Sequence, residues 1–419
     1  MNRKIKLTIF CLTYNHKQFI KDAVESFLAQ KTAFKTRILI FDDLSTDGTT
    51  EILREYQKKY PEQIKLVVAP YNTYNHPDRE KILEEVYEKY LVGEYVAWCE
   101  GDDFWTDTYK LQKQIDFMDN NPDCMMTTHA FTVIDYSNEE KYRKKSFGNV
   151  NRYISNEEII LKPEGNLATA SLVMRKEVFL RDKEFPRTDV LDFPLQLYAI
   201  VKGKVYYFKD NMCTYRFMHL GSWTKNTSDN NEKIFTHSIK FTKFLCEYNI
   251  YSHKAFKDFI WERIKEYMYY GIEALLEIKS EQRLNLIENM KNEYSKIGEE
   301  FLKVYKWMNS ECCVLNDNEL NNLRNKKIAI LGAGKYSEYI KRVLVKNGIK
   351  FDGCFITNTD SKQNNLLNID KYIFENESFV VIVGISQSKE REINEYIYEK
   401  HIKNVMFPLW FNRNKILNE

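Results

Sequence analysis

Five carboxylates in the first quarter of the chain have the spacing of a metal and phosphate site. They are Asp42, Asp43, Glu100, Asp102 and Asp103. Side by side in a cleft, such carboxylates repel one another and raise one another's pKa. A divalent cation relieves this repulsion, and oxygen ligands suit Mg²⁺ or Mn²⁺, which keep coordination positions open for phosphate oxygens. Either cluster alone is also typical of a solvated acidic turn, so their position in the fold decides between the two interpretations.

The elements around these residues predict an α/β fold. Between residues 1 and 230, short apolar runs at 5–12, 37–41, 64–69 and 95–99 alternate with segments in which apolar residues recur at helical spacing. This alternation predicts a parallel sheet with helices on both faces. Ligands of such sheets bind beyond the carboxyl ends of the strands. Both acidic clusters follow a predicted strand directly, which favours a ligand site over a solvated turn.

The rest of the chain is predicted to form two further domains. Residues 231–325 have helical spacing, which is typical of a packed connector, with a homodimer face as the alternative. Residues 326–419 return to an α/β pattern and contain GAGKYSE at 332–338 between a strand and a helix. Ser337 stands where a dinucleotide fingerprint has its third glycine, and no acidic residue ends the second strand. A structural or protein-interaction role is therefore favoured over binding of NAD or of a nucleotide sugar.

Composition restricts the class of partner and the compartment. The chain has 419 residues with 62 Lys and Arg against 60 Asp and Glu, so a globally basic nucleic-acid-binding protein is not expected. No apolar run approaches 18 residues, which predicts no transmembrane helix. The eight cysteines form no CxxC pair, which favours a reduced, cytoplasmic protein. Peripheral contact with the inner face of the membrane stays open.

Three motifs in order carry a resemblance to a known family. The chain reads TYN at 13–15, DDLSTDGT at 42–49 and EGDD at 100–103, and the last motif continues as FWTDTYKLQKQIDFM. With these motifs, about residues 4–225 resemble the family-2 glycosyltransferases of the GT-A fold. The bacterial members that this stretch resembles build cell-surface polysaccharides or decorate surface proteins. The resemblance implies transfer of a sugar, with inversion, from a nucleotide sugar (a UDP-sugar above all) to a hydroxyl of a glycan or protein.

The resemblance also implies a role for individual residues. The nucleotide pocket would involve the TYN motif and the first acidic pair, and Arg79 would lie near the diphosphate. Asp102 would hold Mn²⁺ or Mg²⁺ with His219 as a further ligand, and Glu100 stands where the family usually has the first aspartate of its D-x-D motif. The implied nucleotide-sugar-binding residues are Thr13, Tyr14, Asn15, Asp42, Asp43, Arg79, Glu100, Asp102, Asp103, Trp105 and Arg216.

Asp192 is the expected general base. An inverting transfer needs a carboxylate that takes the proton of the acceptor hydroxyl, and the family places it at a helix start near the end of the catalytic domain. Leu191-Asp192 fits this position because Pro194 suits the first turn of a helix. Asp192 as a mere helix cap and Asp189 as the base are the alternatives.

Three other functions remain open at this point. A non-catalytic nucleotide-sugar-binding or scaffold protein would account for Glu100. A dehydrogenase or epimerase would use the GAGKYSE turn. A protein O-glycosyltransferase would act on a surface or flagellar protein instead of a glycan.

Overall fold

The computed structural model describes residues 4–417 except 75, 77, 138–140, 162–166, 189–191, 229, 310–316, 325, 333, 356–378, 386, 409 and 411–415. The chain divides into two compact units, Met1–Asp229 and Asn230–Glu419. The division into three domains, with separate helical and C-terminal parts, stays a prediction. Among the described residues, no helix combines the length and the apolar character needed to cross a bilayer.

The first unit contains ten strands and eight α-helices among the described residues. In chain order they are β1 Ile5–Thr13, α1 Ile20–Leu28, β2 Lys35–Asp42, α2 Thr49–Lys59, β3 Ile64–Val68, α3 Arg79–Tyr90, β4 Tyr95–Trp98, β5 Phe104–Trp105, α4 Lys110–Asn120, β6 Cys124–Asp135, β7 Lys141–Lys145, β8 Arg152–Ile154, α5 Asn156–Leu161, β9 Val173–Arg175, α6 Lys176–Leu180, α7 Asp192–Lys202, β10 Lys204–Phe217 and α8 Trp223–Ser228.

These ten strands form one mixed sheet. Its main path runs β3-β2-β1-β4-β9-β6-β10-β5, with β7 on β6 and β8 on β10. The four strands predicted from sequence are β1 to β4, and they pair in parallel. The sheet departs from the all-parallel expectation beyond β4, where β9 joins antiparallel to both β4 and β6.

Helices cover both faces of the sheet, and the side chains of β1 alternate between the two faces. Ile9 and Cys11 belong to a core that includes apolar residues of α1, α2 and α4. Phe10 points the other way, where its ring contacts Tyr87 of α3 and Phe179 of α6. Alternate side chains of a strand point to opposite faces, so one strand anchors helices on both sides. The expected α/β class is confirmed.

The second unit combines a helical segment with a small parallel sheet. Its described elements are α9 Asn231–Tyr251, α10 Lys257–Glu277, α11 Ser280–Glu293, α12 Ser295–Asn309, α13 Asp317–Arg324, β11 Lys327–Leu331, α14 Lys335–Lys346, β12 Gly353–Phe355, β13 Phe379–Val383, α15 Glu390–Glu399 and β14 Val405–Met406. The strand order is β12-β11-β13-β14, and every pair is parallel. This order is that of a Rossmann-like α/β segment, with the glycine turn directly after β11.

Candidate active site

Most of the residues singled out from sequence lie at the carboxyl ends of β1, β2, β4 and β10 or in the loops that follow these strands. In the sheet, β1 lies between β2 and β4, so the carboxyl ends of these three parallel strands meet at one edge. The loop after β10 reaches the same place, because His219 lies against Asp102. The structure therefore gathers the TYN, DDLSTDGT and EGDD motifs at the edge where the parallel topology predicts a ligand.

Asp102 is the centre of a His-Asp-His cluster. His219 Nε2 lies 2.8 Å from Asp102 Oδ2, and His16 Nε2 lies 3.7 Å from the same oxygen. One ligand atom from each residue lies within 4.8 Å of the others. Asp102 Oδ1 is buried and has no hydrogen-bond partner among the described residues. A buried carboxylate oxygen without a partner is costly, and a bound cation would satisfy it.

The protonation equilibria in this cluster reflect burial and mutual charge. Burial opposes the ionised form of Asp102, but His16 and His219 outweigh it and hold its pKa below the ordinary value. Burial also opposes the charged form of His219, and there the hydrogen bond to Asp102 prevails and raises the pKa. Burial lowers the pKa of His16. The cluster thus holds an ionised carboxylate between two imidazoles, which is a donor set that Mn²⁺ accepts.

His16 was not among the residues proposed from sequence. It follows the TYN motif directly and accordingly lies in the loop after β1. Its Nδ1 lies 3.2 Å from Thr13 Oγ1, which orients the ring. The sequence signal that could have indicated His16 is its position directly after the TYN motif, which is assigned to nucleotide binding.

Arg216 holds the turn that contains Asp102 and Asp103. Its guanidinium donates to the Asp102 carbonyl oxygen at 2.6 Å and to Asp22 at 2.5 Å, and its backbone N–H donates to Asp103 Oδ1 at 2.8 Å. The rings of Phe19 and Phe104 lie 4.7 and 4.6 Å from the guanidinium carbon. Because Arg216 is 7% exposed and its described partners are protein groups, its contact with a diphosphate stays a prediction.

The same turn packs closely against β1. A Cβ on Gly101 would lie 2.5 Å from Thr13 Oγ1, so only glycine fits between the two loops. Thr13 is buried by this contact. The TYN and EGDD motifs are therefore in direct contact, which their distance in sequence does not reveal.

Asp42 and Asp43, the first acidic pair, stabilise the segments that follow β2 and β3. Asp42 accepts hydrogen bonds from Ser45 N–H at 3.1 Å and from the hydroxyls of Ser45 and Thr50. Asp43 Oδ1 accepts from Thr73 N–H at 2.7 Å. Both aspartates are buried. Their described partners belong to the loops, so contact with a base or ribose stays a prediction for each.

Two further residues of the TYN motif border these loops. Asn15 has a positive φ of 54°, and its Oδ1 accepts from Thr46 N–H at 2.8 Å. Tyr14 is exposed at the loop surface. Asn15 thus joins the loop after β1 to the loop after β2, while Tyr14 remains accessible to a ligand.

The charges of Asp192 and Arg79 act on Glu100. Burial and the charges of Asp102 and Asp192 together raise the pKa of Glu100 to about 8, although the charge of Arg79 opposes them. Asp192 begins α7, and its Oδ1 accepts from Phe193 N–H at 2.8 Å. The predicted base therefore lies within electrostatic reach of the acidic turn. Asp189, the alternative base, and Leu191 lie outside the described residues.

Asp103 and Trp105 are buried. Burial and the charge of Asp102 raise the pKa of Asp103 well above its ordinary value, and its Oδ2 has no described hydrogen-bond partner. The indole of Trp105 is 4% exposed and donates to the Ala170 carbonyl oxygen at 2.8 Å. Its ring packs in the core against Phe27 at 4.8 Å, so contact of Trp105 with a nucleotide sugar stays a prediction that this burial does not favour.

Comparison with known proteins agrees with this geometry. Residues 8–180 match the family described as "Glycosyl transferase family 2". The matched segment contains all three motifs, TYN, DDLSTDGT and EGDD. The family assignment inferred from the three motifs is therefore confirmed.

Curated relatives cover about half of the chain or less. An uncharacterized protein of Mycobacterium tuberculosis is 29% identical over 226 residues, which are 53% of this chain and 62% of that protein. The putative teichuronic acid biosynthesis glycosyltransferase TuaG of Bacillus subtilis is 35% identical over 136 residues, 32% of this chain and 48% of TuaG. The chain thus spans less than two thirds of the length of these relatives.

A solved structure shares the fold. The crystal structure of S. aureus TarS 1-349 in complex with UDP-GlcNAc has a TM-score of 0.52 with this chain, at 14% identity. The match covers 73% of this chain and 88% of the TarS chain. The predicted GT-A fold of the family-2 glycosyltransferase is therefore confirmed.

Proposed function

We propose that this protein transfers a sugar from a UDP-sugar to a hydroxyl of a cell-surface glycan, with inversion and with a divalent cation. The observation that carries this proposal is the His16–Asp102–His219 cluster at the carboxyl edge of the parallel strands, beside Glu100, whose pKa the charge of Asp192 raises. The cluster has the ligand atoms of a cation site, and Asp192 is the carboxylate that we propose accepts a proton. A solvated acidic turn would have neither buried partners nor this cluster.

The residues present fit a Mn²⁺ or Mg²⁺ ion. Asp102 Oδ1 lacks a described partner, and two imidazole nitrogens lie beside the other carboxylate oxygen. Nitrogen ligands favour Mn²⁺ over Mg²⁺. When bound, such a cation would neutralise the charge that develops on the leaving nucleoside diphosphate. Asp102, His16 and His219 are the residues that would hold it.

Asp192 is proposed as the general base. Its place in the first turn of α7 favours the ionised form, because the helix N-terminus stabilises a negative charge. An ionised carboxylate accepts the proton of the acceptor hydroxyl as the new glycosidic bond forms and the bond to the diphosphate breaks. Arg79, whose charge lowers the pKa of Glu100, would attract the diphosphate.

The donor and acceptor classes rest on the relatives. TarS was crystallised with UDP-GlcNAc, and the name of TuaG assigns it to teichuronic acid biosynthesis. These names support a UDP-sugar as donor and a cell-surface polymer as acceptor. A protein acceptor is the alternative within the same chemistry.

A donor screen tests the proposal. Release of nucleoside diphosphate from UDP-, GDP-, CDP- and dTDP-sugars is measured with and without Mn²⁺. We expect release from a UDP-sugar that needs Mn²⁺. Saturable binding of UDP-sugars in calorimetry, with no release of UDP under any condition, would instead favour a non-catalytic binding protein.

A further inference from the structure

Four residues of α10 form one ridge along the helix. They are Trp261, Lys265, Tyr269 and Glu273, each four positions after the last. Residues at this spacing lie on the same side of an α-helix. Trp261, Lys265 and Tyr269 are buried, and Lys265 is 0% exposed. We name these four residues the α10 ridge. A fully buried lysine on it must have acceptors close by.

The carboxyl edge of the small parallel sheet is the surface that the ridge meets. At this edge the turns after β11 and β13 are tied together, since Ser337 Oγ donates to the Gly384 carbonyl oxygen at 3.0 Å and Gly384 N–H donates to Leu331 at 2.8 Å. Folds that bind dinucleotides place the pyrophosphate at this edge, against the N-terminus of the helix that follows the glycine turn. The groups that contact this edge therefore show whether it is available to a dinucleotide.

The first half of the ridge contacts the turn after β13. Lys265 Nζ donates to the Gln387 carbonyl oxygen at 3.0 Å and to Glu390 Oε2 at 2.8 Å. Trp261 Nε1 donates to the same Glu390 oxygen at 3.1 Å. Glu262 completes the set of acceptors around Lys265 at 2.8 Å. The lysine is thus buried by its contact with the C-terminal segment.

The second half of the ridge contacts the first turn of α14. The Tyr336 hydroxyl donates to Glu273 Oε1 at 2.9 Å, and Lys335 Nζ lies 3.3 Å from the same oxygen. The Tyr269 and Tyr336 rings meet edge to face, 5.6 Å apart. A carboxylate at a helix N-terminus is favourable for the same reason that a phosphate is. Glu273 therefore supplies a negative charge to two side chains of the first turn of α14.

We infer that the C-terminal α/β segment is a docking module whose strand-end edge binds the α10 ridge rather than a dinucleotide. Ser337 fits this role, because it stands at the position where a fingerprint glycine lets the helix pack closely on the strand, and its hydroxyl instead joins α14 to the turn after β13. The helical segment and the small sheet accordingly belong to one compact unit. In this protein Ser337 of the glycine motif therefore has a structural role.

Glu390→Ala in the full chain tests the docking, with Glu392→Ala as its matched control. Both residues lie in the first turn of α15, but Glu392 is exposed and its described partner is the exposed Lys389. Hydrogen exchange read by mass spectrometry reports the opening of α10 at 261–269. We expect Glu390→Ala to speed exchange there about tenfold, the effect of losing a hydrogen bond to a charged group. Glu392→Ala should leave it unchanged. Equal effects of the two variants, including no effect of either, would overturn the inference.

Two further measurements keep the inference testable if Glu390→Ala fails to fold. Glu273→Gln should speed exchange in the first turn of α14, whereas Glu277→Gln, an exposed carboxylate on the same helix, should not. NADH titrated against the wild-type chain should show no saturable binding up to about 1 mM. Tighter binding of NADH, or equal exchange in the two α10 variants, would overturn the assignment of this edge to α10.

Discussion

Replacing Arg216 by methionine should weaken both the first unit and its proposed cation site. Methionine keeps much of the apolar contact with the two rings but has no hydrogen-bond donor. The turn that contains Asp102 would then lose the guanidinium that donates to its carbonyl oxygen at 2.6 Å. The ion pair between Arg216 and Asp22 would be lost as well.

The structure allows the size of this loss to be worked out. The hydrogen bond to the buried Asp102 carbonyl contributes about 1.5–3 kcal/mol, because its donor is charged. The Asp22 side chain is 55% exposed, so that ion pair contributes about 0–1 kcal/mol. The contacts with Phe19 and Phe104 add about 0.5–1 kcal/mol. Since methionine recovers part of the packing, we expect the unfolding free energy to fall by roughly 2–4 kcal/mol.

Hydrogen exchange of the core amides in β1 and β4 measures this free energy for the first unit alone. Calorimetry with Mn²⁺ measures the second effect, which we expect to be a loss of affinity of about tenfold or more, as for other residues that orient a metal ligand. Arg143→Met is the control, because Arg143 also pairs with an aspartate and lies over a ring but is 49% exposed. If Arg216→Met matched Arg143→Met in both measurements, the role of Arg216 in holding the turn would be refuted.

Two further predictions concern single side chains of the same unit. His16→Ala should lower the affinity for Mn²⁺ about 10–100-fold in calorimetry while leaving the folded state intact, whereas an unchanged affinity would remove His16 from the cation site. Lys110 is fully buried, and burial lowers its pKa to about 8 from its ordinary value of 10.5. Between these two pH values the unfolded chain binds more protons than the folded chain, so the stability of the wild type rises with pH. The unfolding free energy of the wild type minus that of Lys110→Met should therefore increase by about 3 kcal/mol from pH 7 to 10.5. Urea unfolding at several pH values measures this difference, and a flat or falling difference would contradict it.

Much of the catalytic fold could be predicted from the sequence because its signals are local. Each of the four parallel strands is a short apolar run, and the acidic residues follow two of them directly. Parallel topology then places those strand ends together, which is why Asp102 could be assigned to the site. His219 was named from a resemblance, and the structure places it 2.8 Å from Asp102.

The rest depends on contacts between residues that are far apart in sequence. Arg216 reaches back 194 positions to Asp22, and no local pattern predicts that pair. Trp105 is buried because its two-residue strand pairs with β10 at Cys213, which the acidic turn beside it does not indicate. The residues of the α10 ridge recur at a helical spacing that is typical of any helix packed in a core. Only the structure shows that Lys265 meets Glu390, 125 positions away.

Turnover of the Asp192→Asn variant tests the central claim most directly. UDP release from the UDP-sugar found active in the donor screen is measured with Mn²⁺ for the wild type, for Asp192→Asn and for Glu184→Gln, an exposed carboxylate on the segment before α7. Loss of a general base should lower kcat about 10²–10⁴-fold in Asp192→Asn, with binding of the UDP-sugar retained, and should leave Glu184→Gln at the wild-type rate. An Asp192→Asn protein that is folded and releases UDP at the wild-type rate would contradict the proposed mechanism.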